Sequence, residues 1–402
     1  MQKTLEGDWL TLATEMRGWR TALHEWPELG YEEVKTSALV AKLLHQWGYS
    51  VQKGLAGTGV LGTLSSGKPG RSVMLRADMD ALPIQESIVH RHMSRRPNVM
   101  HACGHDGHTA SLLGAANYIS RNKPLSGTLH VLFQPAEELT NSGAARLISE
   151  GFFDQLHIDA IYGFHTWPDL RRGQGAVHRG TVMAAADFFT IEIFGQAAHA
   201  GMPHLGSDCI VAAGQVITAL QTVVSRRLSP CDAGVVSIGT MRSGQVGTQV
   251  ADHAVLEGTI RALTDESLEQ IRLAIKQIVK NLCDAMGVSS TVQFSGAVPA
   301  TVNAEKPAAV AIEALIATLE EQNVFHDLQP SMAAEDFSIL LKKWPGCFFW
   351  LGAGSANESV PLHDPRFDFD DETLLLAAQV FARIVHSELS SGEEICLIAQ
   401  DS

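Results

Sequence analysis

Disulfide potential, positive charge and long apolar runs are all scarce in this sequence, and each shortage excludes something. Its 402 residues hold six cysteines, at 103, 209, 231, 283, 347 and 396, with no paired C-x-x-C spacing. A chain of this length needs no disulfide scaffold, so scattered thiols point to a reducing cytoplasm. Thirty Lys and Arg face 44 Asp and Glu, a formal charge of −14. That balance argues against nucleic acid or an anionic membrane as a partner, and bound divalent cations would offset part of it. No apolar run approaches transmembrane length. Residues 1–20 carry Glu6, Asp8, Glu15 and Arg17 among apolar side chains and read as an amphipathic helix, not a signal sequence. Internal repeats and low-complexity runs are missing too. What is present, 45% hydrophobic and 18% charged residues, suffices for one large core and a second domain.

Residues 10–26 read as a helix ended by Pro27, and 32–47 as a second closed by Gly48. Runs 59–64, 72–78, 127–133 and 158–164 are β-rich and separated by helical stretches, the alternation of a largely parallel α/β sheet. The last three lead into Met79-Asp80-Ala81-Leu82-Pro83, Gln134-Pro135-Ala136-Glu137-Glu138 and His165-Thr166-Trp167-Pro168. Open α/β sheets bind ligands just past such strand ends. From about Asp187 the pattern changes. A strand at 188–194 precedes a helix capped by Ser207-Asp208, with Ile210, Ala213, Ile217, Leu220 and Val224 stepping by three and four. Strands 234–241 and 253–263 follow, then a helix with Leu268, Ile271, Ile275, Ile278 and Leu282 on one face, and a strand at 289–294. This β-α-β-β-α-β order is a ferredoxin-like unit. The expected fold class is therefore α/β: a discontinuous domain of residues 1–186 and 295–390, with a largely parallel central sheet flanked by helices, and an inserted domain at 187–294. A polar tail occupies 391–402.

The densest chemistry is His101-Ala102-Cys103-Gly104-His105-Asp106-Gly107-His108, followed by the small-residue, helix-prone run 109–116. Cys and His two apart at a helix start can converge on one point, and the helix N-terminus favours the thiolate that a metal needs. Cys103 and His105 are accordingly read as metal ligands, against the alternative of a buried apolar thiol and hydrogen-bonded core histidines. Glu137 and Glu138 can point to different places, one to a metal and one to a water held on it; the alternative is an acidic surface turn. His165 and His363 stand alone and are candidates by position only. Cys103, His105, Glu138, His165 and His363 make five ligands, too many for one tetrahedral zinc and about right for two metals. Asp78 and Asp80 either orient a ligand through a hydrogen bond or pair with Arg76. His101 and His108 read as packing or supporting groups, while His24, His90, His92, His157, His178, His204, His253, His326 and His386 have no argued role.

Arg76-Ala77-Asp78-Met79-Asp80-Ala81-Leu82-Pro83, the 101–108 run, Phe133-Gln134-Pro135-Ala136-Glu137-Glu138, Gly163-Phe164-His165, Ala198-His199, Ala334-Glu335-Asp336-Phe337 and Leu362-His363 stand in one order along the chain. In this the sequence resembles the metallopeptidase-type amidohydrolases that include hippurate hydrolase, N-acyl-amino-acid aminoacylase and the plant auxin-conjugate hydrolases. The similarity runs from the Pro27-Glu28-Leu29 turn to about residue 385. It implies a catalytic domain with an inserted lid that dimerises, a dinuclear centre on the five residues above, and Glu137 as the general base that passes its proton to the leaving amine. His199 then corresponds to a histidine that reaches the partner subunit's active site and stabilises the oxyanion; without the resemblance it is a strand-end surface histidine. Arg261 is the candidate for the substrate carboxylate, against a salt bridge within the inserted domain. Two departures bear on substrate choice: Thr248-Gln249-Val250-Ala251 replaces the usual Asn-Val-Ile-Pro, and Ala197-Ala198 the usual Gly-Gly. The resulting expectation is a cytoplasmic homodimer with two divalent ions per chain, zinc or manganese, with nickel and cobalt open, that hydrolyses small N-acyl or N-aroyl amino acids. A dipeptidase or carboxypeptidase on the same scaffold is the enzyme alternative. A non-catalytic metal-binding or regulatory protein is the alternative of another class, and retention of Glu137 and all five ligands counts against it.

Overall fold

The computed structural model describes residues 2–123, 126–326, 328–354 and 359–390, with side chains from Trp9 onward; the polar tail at 391–402 lies outside the described residues. Two compact units are present: Met1–Val182 with Val302–Gln329 and Ile339–Ser402, and Met183–Thr301 with Pro330–Ser338. Residues 330–338, assigned from sequence to the first domain, thus group with the second. A local pairing explains this: Met183 bridges Ser331, and the Ala184 N–H lies 3.0 Å from the carbonyls of both Ser331 and Ala333.

The first unit is built on an eight-stranded sheet. At its centre four parallel strands lie in the order Thr128–Gln134, Ser72–Asp78, Ala160–Arg171 and Gly346–Gly354. These strands are covered on both faces, which is why they read as near-continuous apolar runs. Gly59–Ser65 and Ser50–Leu55 extend one side antiparallel, and the two-residue strands Gly175–Ala176 and Val324–Phe325 extend the other. No helix separates Gly59–Ser65 from Ser72–Asp78; a turn does. The Ala160–Arg171 strand runs well past the expected end, so His165 lies inside it, opposite Trp350, and not beyond it. Helix His105–Arg121 packs between Gln2–Glu25 and Asp371–Leu389 and is buried over most of its length. Its Leu112 and Leu113 are fully enclosed, each contributing roughly 1.5–3 kcal/mol of apolar burial.

The second unit is an antiparallel sheet in the order Gly234–Ser243, His253–Ala262, Ala185–Phe194, Ser289–Val298, with helices Cys209–Thr222 and Asp265–Ala285 packed on it and on each other. The chain order along the sheet, second-third-first-fourth, is that of a ferredoxin-like unit. Asp208 and Thr264 cap the two helices by accepting N–H groups of their first turns. The first helix buries Cys209, Ala212, Ala213, Val216 and Leu220, while Ile210 is exposed, so its inner face is rotated from the expected one. With the turn that continues it, the segment Cys209–Arg227 has the length and composition to cross a membrane, contrary to the sequence expectation, yet that buried face belongs to the second core.

Candidate metal centre

Three backbone positions in the left-handed region shape this part of the first unit. Gly104, at φ +86°, caps the helix that begins with His105, and a Cβ there would stand 2.7 Å from Thr166 Cγ2. Ala136, at φ +53°, precedes Glu137-Glu138, and His363 itself has φ +65°. Non-glycine residues seldom adopt this conformation, and where they do it is held by their surroundings. At Ala136 the surroundings are Glu33, whose buried carboxylate accepts the Ala136 N–H at 2.9 Å and the Thr58 hydroxyl at 2.5 Å. At His363 the backbone N–H donates to Ala102 O at 2.8 Å, tying the residue to the Cys103 loop.

The six residues singled out in the first unit come together. Ligand atoms of Cys103, His105 and His165 lie within 4.8 Å of one another, as do those of Cys103, Glu138 and His363, and those of His105, Glu137 and Glu138. His165 Nδ1 lies 2.6 Å from Thr166 O, and His105 Nδ1 lies 2.9 Å from Asp80 O. Each Nδ1 therefore carries a proton, and Nε2 is the nitrogen that a metal would take. Cys103 Sγ is 3.4 Å from His165 Nε2, and His363 Nε2 is 3.1 Å from Glu138 Oε1. Two ligands at about 2.0–2.3 Å from one tetrahedral ion stand roughly 3.3–3.8 Å apart, so the first spacing suits a metal and the second is an ion-pair distance that a metal would open slightly. His105 Nε2 is buried with no hydrogen-bond partner among the described residues, the state expected of an atom meant for a cation.

The two aspartates divide the supporting work. Asp80 Oδ1 lies 3.3 Å from His105 Nδ1, and its Oδ2 accepts the Glu138 N–H at 3.0 Å, so one carboxylate holds both residues. Asp78 makes the pair with Arg76 considered from sequence, and its hydrogen bond to a histidine goes to His108, not to one of the five ligands. One oxygen accepts from Arg76 at 2.7 Å and the other from His108 Nδ1 at 2.7 Å, while His108 Nε2 accepts the Thr166 N–H at 3.0 Å. Glu33 was missed in the sequence, where it reads as an ordinary acidic residue beside a helix start.

Electrostatics follow from burial among these groups. Burial opposes protonation of His105, but Asp78, Asp80 and Glu138 outweigh it and push the ring up to about 10. Burial, then His108, holds His165 well below the usual range. The Cys103 thiol is pushed well up, first by burial and then by Glu138, Glu137 and Asp78. The helix terminus, worth at most about 1–2 kcal/mol, does not make a thiolate here unaided, contrary to the sequence argument. A multiply charged cation reverses that balance. Burial, with Asp80 adding to it, pushes Glu33 up to about 7 against the pull of the Thr58 hydroxyl.

His199 and Arg261 belong to the second unit. His199 is exposed, and its strand Ala198–His199 pairs with Gln249–Val250, so the two departures from the family pattern, Ala197-Ala198 and Thr248-Gln249-Val250-Ala251, meet in one ribbon. Its Nδ1 accepts the Gly201 N–H at 3.0 Å, which leaves the proton on Nε2. Arg261 stacks 5.6 Å from the Phe188 ring centroid and donates to Ile260 O and Thr259 Oγ1. It forms no ion pair among the described residues, so the salt bridge considered from sequence is not made there.

Residues 74–387 match the Peptidase family M20/M25/M40. The chain is 35% identical over 387 residues to the N-acetyl-L-cysteine deacetylase of Bacillus subtilis, covering 96% of this chain and 90% of that protein. It is 35% identical over 376 residues to the hippurate hydrolase of Campylobacter jejuni, covering 93% and 97%. A solved structure of a dinuclear metal binding peptidase of the M20 family from Bacillus subtilis superposes with a TM-score of 0.81 at 31% identity, over 94% of this chain and 99% of that one. With metal-ligand chemistry gathered around the Cys103 loop and the similarity running nearly end to end, the chain belongs to peptidase family M20/M25/M40, metal-dependent hydrolases of amide bonds.

Proposed function

We propose that this protein hydrolyses the amide bond of N-acyl or N-aroyl amino acids, using two divalent ions held by Cys103, His105, Glu138, His165 and His363. The observation that carries the reading is the convergence of these five with Glu137, with His105 Nε2 buried and left without a hydrogen bond among the described residues. Bound there, the ions supply an acidified water and a positive partner for the amide oxygen. Glu137 takes the proton of the attacking water and returns it to the leaving nitrogen. Asp80 keeps His105 and Glu138 in place, and Glu33 keeps the turn that presents Glu137. His199, protonated on Nε2, donates to the developing oxyanion in the partner subunit. Arg261, with no acidic partner among the described residues, takes the substrate carboxylate.

Thiolate, imidazole and carboxylate together suit zinc, with manganese, nickel or cobalt set by availability. Dimerisation through the second unit is supported by its edge strand Gly234–Ser243, ten residues bonded on one side and largely exposed. A cytoplasmic setting is supported by the five described cysteines being free thiols. Hydrolysis of N-acetyl, N-benzoyl and indole-acetyl amino acids beside dipeptides, by the parent and by Glu137→Ala, tests the reading. Turnover of the acylated amino acids that disappears in Glu137→Ala is expected. Turnover confined to dipeptides would replace it with the peptidase reading, and turnover of none would favour a binding protein.

A further inference from the structure

Three histidines that the sequence left without a role meet at a second place in the first unit. His24 ends the first helix and is fully buried; its Nδ1 lies 2.7 Å from Asp106 Oδ2 and its Nε2 lies 3.2 Å from Glu86 Oε1. His90 and His92 come from the loop that leads toward Cys103, with ring centroids 4.2 Å apart and 5.6 and 5.3 Å from that of His24. Asp368 precedes the last helix. One ligand atom each from His24, His90 and Asp368 lies within 4.8 Å of the other two.

Hydrogen bonding leaves one nitrogen of this cluster unused among the described residues. His24 Nε2 and His90 Nε2 crowd one oxygen of Glu86, the second at 2.5 Å, while the other oxygen already accepts the Ser94 N–H at 2.6 Å. His90 Nδ1 is buried with no partner among the described residues. His92 Nε2 stands 2.9 Å from Arg20 Nη1, a guanidinium nitrogen that also donates to Asp371 at 3.3 Å. The same His92 nitrogen stands 3.1 Å from both oxygens of Asp368 and donates to them when it carries the ring proton. Ligands of one tetrahedral ion stand about 3.3 Å apart, and the atoms offered by His24, His90 and Asp368 lie within 4.8 Å of one another. The groups facing the cluster are the carboxylates of Glu86, Asp106, Asp368 and Asp371 against the guanidinium of Arg20, a negative surplus.

We propose that His24, His90 and Asp368, with His92 and Glu86 beside them, form a peripheral site for one transition-metal ion, distinct from the candidate metal centre. Imidazole with carboxylate selects the borderline divalent ions, zinc, nickel, cobalt or copper, over magnesium and calcium. The site joins the first helix, the loop before Cys103 and the segment before the last helix, so its ion staples parts of the chain far apart in sequence and binding adds to folding stability.

Cobalt titration of chelator-stripped protein tests this, with bound metal counted after gel filtration and melting followed in parallel. His90→Asn and His92→Asn are the variants, each replacing a loop side chain that is 18% exposed. The parent is expected to hold one more cobalt per chain than either variant, and cobalt is expected to raise its Tm further. Both variants should keep the parent's amide turnover. Equal counts in parent and folded variants would overturn the proposal, as would an equal rise in Tm. Failure of the five-ligand centre would lower every count alike and leave the difference of one ion intact, so the two claims are separable.

Discussion

Asp80→Asn separates metal affinity from fold at a single buried carboxylate. The change preserves volume and leaves one oxygen, but the parent uses two: Oδ1 at 3.3 Å from His105 Nδ1 and Oδ2 at 3.0 Å from the Glu138 N–H. Whichever way the new amide turns, its NH2 meets an N–H donor. His105 keeps the Asp80 carbonyl at 2.9 Å, so its tautomer survives, and the damage falls on the position of Glu138. A buried donor left unmatched costs about 1–3 kcal/mol. At about 1.4 kcal/mol per factor of ten that is roughly 5- to 150-fold in affinity, in line with the 10- to 100-fold typical of groups that support metal ligands. Competition with a chromophoric chelator reads the zinc affinity of parent and variant. Urea unfolding of both proteins without metal is the control. There the variant should be no less stable, because a negative charge has left a cluster that also holds Asp78, Glu137 and Glu138. Zinc affinity within twofold of the parent, or a loss of metal-free stability as large as the loss of affinity, would refute the reasoning.

Three further outcomes follow from the same geometry. Glu33→Gln can keep the Ala136 N–H only by turning its NH2 to the Thr58 hydroxyl, which must then accept instead of donate, and so loosens the turn carrying Glu137. A fall in kcat on the order of tenfold or more is expected, with KM little changed; a KM effect alone would contradict a positioning role. His24 is raised to about 9, burial opposing and Asp106 prevailing, so the folded state holds this proton more tightly than the unfolded chain near 6.5. In chelated protein that stability, up to roughly 3 kcal/mol, is complete below about pH 6.5 and lost as pH rises through about 9. Urea midpoints at the two ends should drop in the parent and stay flatter in His24→Gln. Gly104→Ala forces a side chain into the left-handed region against Thr166, at roughly 1–2 kcal/mol for the backbone and more for the contact, so its Tm should fall clearly below the parent's.

The parallel strands and the ferredoxin-like order were legible because burial on two faces, or on alternate positions, writes itself as a period. The edge strand Ser50–Leu55 was not, since only Leu55 of it is buried and its partner supplies the pairing. The inner face of Cys209–Thr222 was misplaced because alanines, not the larger Ile210, lie against the sheet. Cys103, His105, Glu137, Glu138, His165 and His363 could be singled out from strand-end position and motif, and they do gather. How Asp78 and Asp80 share the supporting contacts could not be read, because two acids two residues apart differ only in what the fold brings to them. Glu33, and the meeting of His24 and His90 with Asp368, were hidden for the same reason: every partner is remote in sequence.

Two ions are expected at the cluster of Cys103, His105, Glu138, His165 and His363. Anomalous diffraction from zinc-loaded crystals, collected on both sides of the zinc edge, tests it most directly. Two anomalous peaks there are expected, each within about 2.0–2.3 Å of ligand atoms from those residues. Crystals of metal-replete, reduced protein with no anomalous density at that cluster would contradict it.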